Sequence, residues 1–285
     1  MVAALTFTDA DSNITDLNDG TKFKLVGMRG AGIPPLIHET VKTPSRRGEQ
    51  YIRTVLEPRF LIIELAVIGT SYADRQTQRR TLINKLNPKV GEGILTWTPV
   101  SGGTIYAIDC FVERGLGFGK HLSDTLEFVA ISFRCPDPAW YGAAEQSTAL
   151  AITGGLEIPL KFDAGGGSDS MSISALAESQ VLDNTGDLAT FPTITIPGAF
   201  TNPKITNVTT GKVIHFSGLT VTGGEEFVID MDAQTAKVDG VSVMDKRTST
   251  SEAWALEPGN NTVKFETSTG QATATVAWFV RYLGV

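Results

Sequence analysis

Short β-branched and aromatic runs alternate with Gly, Pro, Asn and Asp throughout residues 191–285. The phrases are Phe191-Pro-Thr-Ile-Thr-Ile-Pro-Gly198, Asn202-Pro-Lys-Ile-Thr-Asn-Val-Thr-Thr-Gly-Lys212, Gly223-Gly-Glu-Glu-Phe-Val-Ile-Asp-Met-Asp232, Leu256-Glu-Pro-Gly-Asn-Asn-Thr-Val-Lys-Phe265 and Val276-Ala-Trp-Phe-Val-Arg-Tyr-Leu283. Each run is strand length. Each is closed by residues that take a left-handed or fixed φ, which bulky residues resist. Repeated at this spacing, the pattern specifies a β-sandwich.

The first half is also strand-rich, with one helix. Thr21–Val26 follows an Asp19-Gly20 turn and reads as the second strand of a tight hairpin. Residues 28–50 read as one long loop rich in Gly, Pro and Arg, and long loops are usually functional or ordered by a partner. Arg59–Gly69 is apolar on both faces, the mark of a strand covered on both sides. A helix is expected over Ala73–Asn87, with Ser71 as N-cap, Asp74 in the first turn and Pro88 past the end. Its packing stripe is Leu82, Ile83 and Leu86, and Arg75, Arg79 and Arg80 leave its earlier turns to solvent or a neighbour. Strands follow at Gly93–Trp97, Thr104–Glu113 and Asp124–Cys135. Pro136-Asp-Pro138 cannot continue a central strand, so two domains are expected, 1–139 and 140–285. Ala164–Ser170 reads as a loop tip or flexible insertion. Charge changes with the joint: residues 1–140 carry a net of +1 and residues 141–285 a net of −8. So acidic a second half argues against nucleic-acid wrapping.

Known chemistries leave little trace. His38, His121 and His215 lie far apart, and no nucleophile elbow, zinc-protease or phosphate-loop phrase occurs, so no enzyme activity is expected. Asp9-Ala-Asp-Ser-Asn13 opens like an EF-hand loop, but Ile14 stands at the sixth position and Gly20 at the twelfth, so it reads as a solvated turn. No metal site or cofactor is expected. Cys110 and Cys135 each alternate with apolar residues and read as buried strand residues; a disulfide would need adjacent strands in register, and a cytoplasmic origin favours reduced thiols. The start of the chain has no signal-peptide pattern and no apolar run nears the roughly 18 residues of a membrane span, so the expectation is a chain kept where it is made and released by lysis, without membrane insertion. Trp278 alternates with Val276 and Val280 as a core residue does, whereas Trp254, beside a turn, is the candidate exposed aromatic. Arg29, Lys42, Arg46 and Arg47 make the long loop basic and are candidates for a subunit-interface or lumen-facing loop.

The order of several phrases resembles the distal tail proteins of siphophages. In the first half these are the early Asp19-Gly20 strand, Arg79-Arg-Thr-Leu-Ile-Asn-Lys-Leu-Asn-Pro88, and Phe133-Arg-Cys-Pro-Asp-Pro-Ala-Trp-Tyr141. In the second they are Asn184-Thr-Gly186, Pro192–Ile196, Asn202-Pro203, Thr209-Thr-Gly211, Gly224-Glu225, Ile229-Asp230 and Leu256-Glu-Pro-Gly-Asn260. The resemblance implies a mainly β chain. Its N-terminal β-sandwich or barrel-like domain, bearing a β-hairpin and one helix, forms a hexameric ring. A galectin-like or carbohydrate-module-like β-sandwich follows. It also implies a structural place at the tail tip of the virion, after assembly in the host cytoplasm, linking the tail tube protein to the tail-tip hub protein and anchoring receptor-binding or fibre proteins, with DNA only passing through the lumen. The galectin phrase W-G-x-E is absent. A carbohydrate-binding module for host-surface recognition is the alternative reading.

Overall fold

A computed structural model of the chain describes residues 3–44, 47–152, 157–159, 170–172 and 177–285. The chain divides into two compact units, Met1–Ala144 with Arg281–Val285, and Glu145–Val280. The joint expected after residue 139 has its counterpart after Ala144, and the C-terminal residues belong to the first unit. Of the expected flexible insertion, residues 164–169 lie outside the described residues.

The first unit comprises β1 (Ala4–Thr8), β2 (Ile14–Asp16), β3 (Phe23–Arg29), β4 (Leu36–Val41), β5 (Gln50–Leu56), β6 (Arg59–Ile68), α1 (Tyr72–Lys85), β7 (Gly93–Thr98), β8 (Tyr106–Val112), β9 (Gly117–Ser123), β10 (Leu126–Cys135) and β11 (Trp140–Gly142). The strands run in the order β2-β1-β7-β8-β10-β6-β3. Antiparallel alternation sends Leu5, Phe7, Leu61, Ile63, Ile131 and Phe133 into one core. Within it, Phe7 and Phe133 meet with ring centroids 5.3 Å apart.

The Asp19-Gly20 turn makes no hairpin. The strands beside it, β2 and β3, sit at opposite ends of the strand order, so the turn brings the two edges together. Asp19 holds it by accepting the main-chain N–H groups of Thr21, Lys22 and Phe23, and Gly20 takes φ 73°. The acidic phrase at 9–13 is likewise spent on itself: Asp9 accepts the N–H groups of Asp11 and Asn13. No metal-binding cluster occurs among the described residues.

Helix α1 starts where its cap predicts, Ser71 Oγ accepting the N–H of Asp74. Its packing face differs from the expected stripe. Leu82 and Leu86 are buried, but Ile83 is 44% exposed. Adjacent residues on a helix point about 100° apart, and the buried line continues at helical spacing through Arg75 instead. Arg75 is 1% exposed, so the earlier turns are not left free. Its charge is answered by Glu127 of β10, itself buried, which takes a 3.0 Å hydrogen bond from Arg79 and lies 4.0 Å from Arg75 Nε. Arg75 Nη1 also donates to the Ser123 carbonyl.

The chain returns to the first unit at its end. Arg281–Tyr282 pairs antiparallel with β11, Trp140 opposite Tyr282 and Tyr141 opposite Arg281. Arg281 forms an ion pair with Asp137.

The second unit contains a six-stranded and a four-stranded antiparallel sheet. The first orders Gln146–Ala151, Thr273–Trp278, Thr193–Pro197, Glu226–Asp230, Thr235–Val238 and Val241–Ser242. The second orders Ala177–Asn184, Gly259–Glu266, Lys204–Asn207 and Lys212–His215. Ile194, Ile229 and Val276 of one sheet and Ile205, Val263 and Phe265 of the other are buried, as period-2 alternation requires. Buried asparagines fasten the turns: Asn184 Nδ2 donates to the Leu188 and Leu256 carbonyls, Asn207 Nδ2 to Ala255, and Asn261 Nδ2 to Glu257 and Gly259. Trp278 is buried. Trp254, the expected exposed aromatic, is 0% exposed. Its segment is strapped down by the bond from Asn207 to Ala255 and by the bridge between Leu256 and Thr190, so a residue beside a turn here points inward.

Candidate assembly interface

Residues 28–50 are not one loop. β4 and β5 form a hairpin whose strands pair only with each other, apart from the ten-stranded sheet. Ile37, Thr40, Val41, Tyr51, Ile52, Thr54 and Val55 have high β propensity and support these strands, but apolar and polar residues do not alternate in them, and glycines and prolines precede them. On one face, Ile37 stands opposite Val55 and Glu39 opposite Arg53, whose Nε lies 2.7 Å from the Glu39 carboxylate. On the other, His38 and Tyr51 both hydrogen-bond Thr54 Oγ1 at 2.8 Å. Ile37 and Val41 are each 47% exposed, Tyr51 60% and Ile52 54%. A two-stranded hairpin is at best marginally stable in water, and this one leaves its apolar side chains uncovered.

The root of the hairpin is held by buried hydrogen bonds. Arg59 is 1% exposed and donates to the carbonyls of Gly30, Ala31, Gly32, Pro138 and Leu283. Burial draws its pKa down. Trp140 Nε1 and the Val285 N–H add bonds to the Ala31 carbonyl. Gly30 has φ 88°, and a side chain there would run into the Phe60 carbonyl. One guanidinium thus fixes the segment that launches β4, the segment before β11 and the C-terminal return.

A second apolar surface lies on the outward face of the sheet. Strand β6 is not covered on both sides as expected: Phe60 is 43% and Ile62 40% exposed, and only its far end, Ala66–Val67, is buried on both faces. Val26 of β3 is 54% exposed. Beside these residues is a concavity of about 310 Å³ lined by Val26, Glu64, Gly117, Gly119, Phe128, Val129 and Ala130. Glycines on β9 leave it open because no Cβ fills it. Arg29 pairs with Glu64 at 2.9 Å.

The basic candidates therefore separate. Arg29 belongs to the sheet face. Lys42 and Arg47 are exposed in the turn between β4 and β5, and Arg46 lies outside the described residues. The sequence reading missed the apolar side chains of the hairpin. Their signal was the run of β-branched and aromatic residues in Gln50–Leu56.

Comparison with known proteins agrees with this architecture. The profile of a phage tail protein RIFT-related domain matches residues 10–149, and that of a siphovirus-type tail component, C-terminal domain, matches residues 185–282. The crystal structure of Dit (gp 19.1) of phage SPP1, described as a paradigm of the hub adsorption apparatus in phages infecting Gram-positive bacteria, superposes with a TM-score of 0.72 at 16% identity, covering 99% of each chain. A chain of the phage P2 baseplate in its activated conformation gives 0.51 at 12% identity, covering 97% of this chain and 98% of that one. At these identities the structural likeness establishes the fold. No curated protein sequence matches.

Proposed function

This chain belongs to the distal tail proteins of siphophages, structural proteins of the phage tail and baseplate, and we propose that six copies of it close into a ring through the first unit. The observation that carries this reading is the presence on one unit of two different uncovered apolar surfaces, the β4–β5 hairpin and the Val26–Phe60–Ile62 face. Two unlike surfaces that meet between neighbouring copies make a heterologous interface, the kind that closes rings. The hairpin of each copy lies on the sheet face of the next. The ring joins the tail tube to the tail-tip hub, and the second unit serves baseplate, fibre or receptor-binding components. The net of −8 over residues 141–285 favours an outer position, where six copies stay apart. With Trp254 buried, the saccharide-binding alternative loses the aromatic it rested on.

Mass photometry of the purified chain tests the reading. A species of six chain masses is expected for the wild type, and single chains for Ile37→Asp/Val55→Asp with unchanged circular dichroism. A wild type that stays monomeric at high concentration overturns it.

A further inference from the structure

Cys110 and Cys135 are both free and both fully buried. They belong to neighbouring antiparallel strands, where Phe133 stands opposite Val112 and Arg134 opposite Phe111. The same register extends in one direction to Glu113 and Ser132, whose N–H and carbonyl bond at 2.9 Å. In the other direction the next pair is Cys110 and Cys135. Hydrogen-bonded and non-hydrogen-bonded pairs alternate along an antiparallel ladder. The bond at Glu113–Ser132 therefore makes Cys110–Cys135 a non-hydrogen-bonded pair. Such pairs hold their Cα atoms about 4.5 Å apart with side chains turned toward each other, inside the roughly 4.4–6.8 Å window of a disulfide.

We propose that Cys110 and Cys135 are a built dithiol site, reduced while the chain is made and converted to a cross-strand disulfide by a peroxide-class oxidant outside the reducing cell. One sulfur, as thiolate, attacks a peroxide oxygen; the O–O bond breaks, hydroxide leaves and a sulfenic acid remains. The second thiol attacks that sulfenic sulfur, its proton leaves with the hydroxyl as water, and the S–S bond forms. Two thiols are oxidised by two electrons, and one hydrogen peroxide is reduced to two waters. The thiols contact each other: the Cys110 pKa is held above its ordinary range first by its hydrogen bond with Cys135, then by burial. A scarce thiolate in a closed core makes the step slow.

The link joins β8 to β10 at the seam of the strand order and closes a loop that contains all of β9. It therefore also restrains the glycine strand beside the outward concavity. The site is independent of the ring reading.

The folded full-length chain is treated with hydrogen peroxide in native buffer, then unfolded and alkylated. The expected result is a chain lighter by two hydrogens and a peptide linking Cys110 to Cys135. Alkylatable thiols fall from two to none and return with dithiothreitol, and the urea midpoint of the oxidised chain rises. Two alkylatable thiols after treatment, over-oxidised cysteines without a link, or a link that forms only when urea is present during oxidation would each overturn the proposal.

Discussion

The two units handle apolar surface in opposite ways. Among the described residues, sixteen large hydrophobics are exposed in the first unit and five in the second. The second unit pairs its two sheets over an inner layer of Ile, Val and Phe and fastens its turns with buried asparagines. Among its described residues most large apolar side chains are covered from within the unit. The first unit has an equally dry core around Leu61, Ile63 and Phe133, yet holds a hairpin and a sheet face uncovered. Exposed apolar residues in scattered positions need no account, but here they gather on β4, β5 and β6. The difference separates a unit that covers its apolar surface from within from one that leaves part of it uncovered.

Equivalent substitutions in the two units put this contrast to the test most directly. Trp254→Ala in the second unit is expected to cost about 3–5 kcal/mol of stability, because a fully buried ring leaves a cavity. Phe60→Ala in the first is expected to cost less than about 1 kcal/mol in the single chain and to weaken assembly instead. Urea unfolding and mass photometry on the two variants separate the outcomes; equal losses of stability would break the comparison.

Arg59→Met probes how the uncovered hairpin is held in place. The variant keeps much of the volume but removes the donor that five main-chain carbonyls share in a closed space, at an expected cost of about 3 kcal/mol. Hydrogen exchange should rise at residues 30–32 and 281–285 together, and exchange confined to one of them would show that Arg59 does not couple them. A smaller loss is expected from Gly30→Ala, on the order of 1–3 kcal/mol, because the left-handed backbone and the Phe60 carbonyl both oppose a side chain. Full stability in that variant would mean the root is soft.

The weakest expected effect is on pH. Asp74 lies below the ordinary carboxylate range, chiefly through the Thr70 N–H, then through Gln78 and the Thr70 hydroxyl. Its contribution is therefore present above the unfolded-state value and lost as pH falls through the lower folded-state value. Asp74→Asn should flatten the acid limb of the stability curve slightly in the first unit and leave the second unchanged. Denaturation curves between neutral pH and the carboxylate range check it.

The parts legible from sequence were those where local chemistry decides. Turn residues marked the strands of the second unit, and Ser71 with Asp74 marked the helix start. What escaped depended on which neighbour a side chain meets. Arg75 reads as a solvent residue until Glu127 arrives from β10. Ile83 is adjacent to Leu82 in sequence but not on the helix surface. Trp254 follows a turn yet lies under a strapped segment. The thiols of Cys110 and Cys135 face each other only because β8 and β10, separated by β9 in the chain, are paired. Of the candidate interface, the exposed apolar residues of the hairpin escaped the sequence, since exposure is set by the absence of a partner within the chain.

The pairing of Arg281–Tyr282 with β11 has a bearing on how such proteins diversify. The chain leaves the first unit just after β11 and comes back on the strand beside it, so exit and entry lie about one strand spacing apart. Whatever folds between them need only bring its own two ends together. An insert of another length or fold meets the same doorway and leaves the register of the host sheet untouched. The length and fold of the segment between residues 145 and 280 are thereby uncoupled from the register of the sheet that carries its two ends.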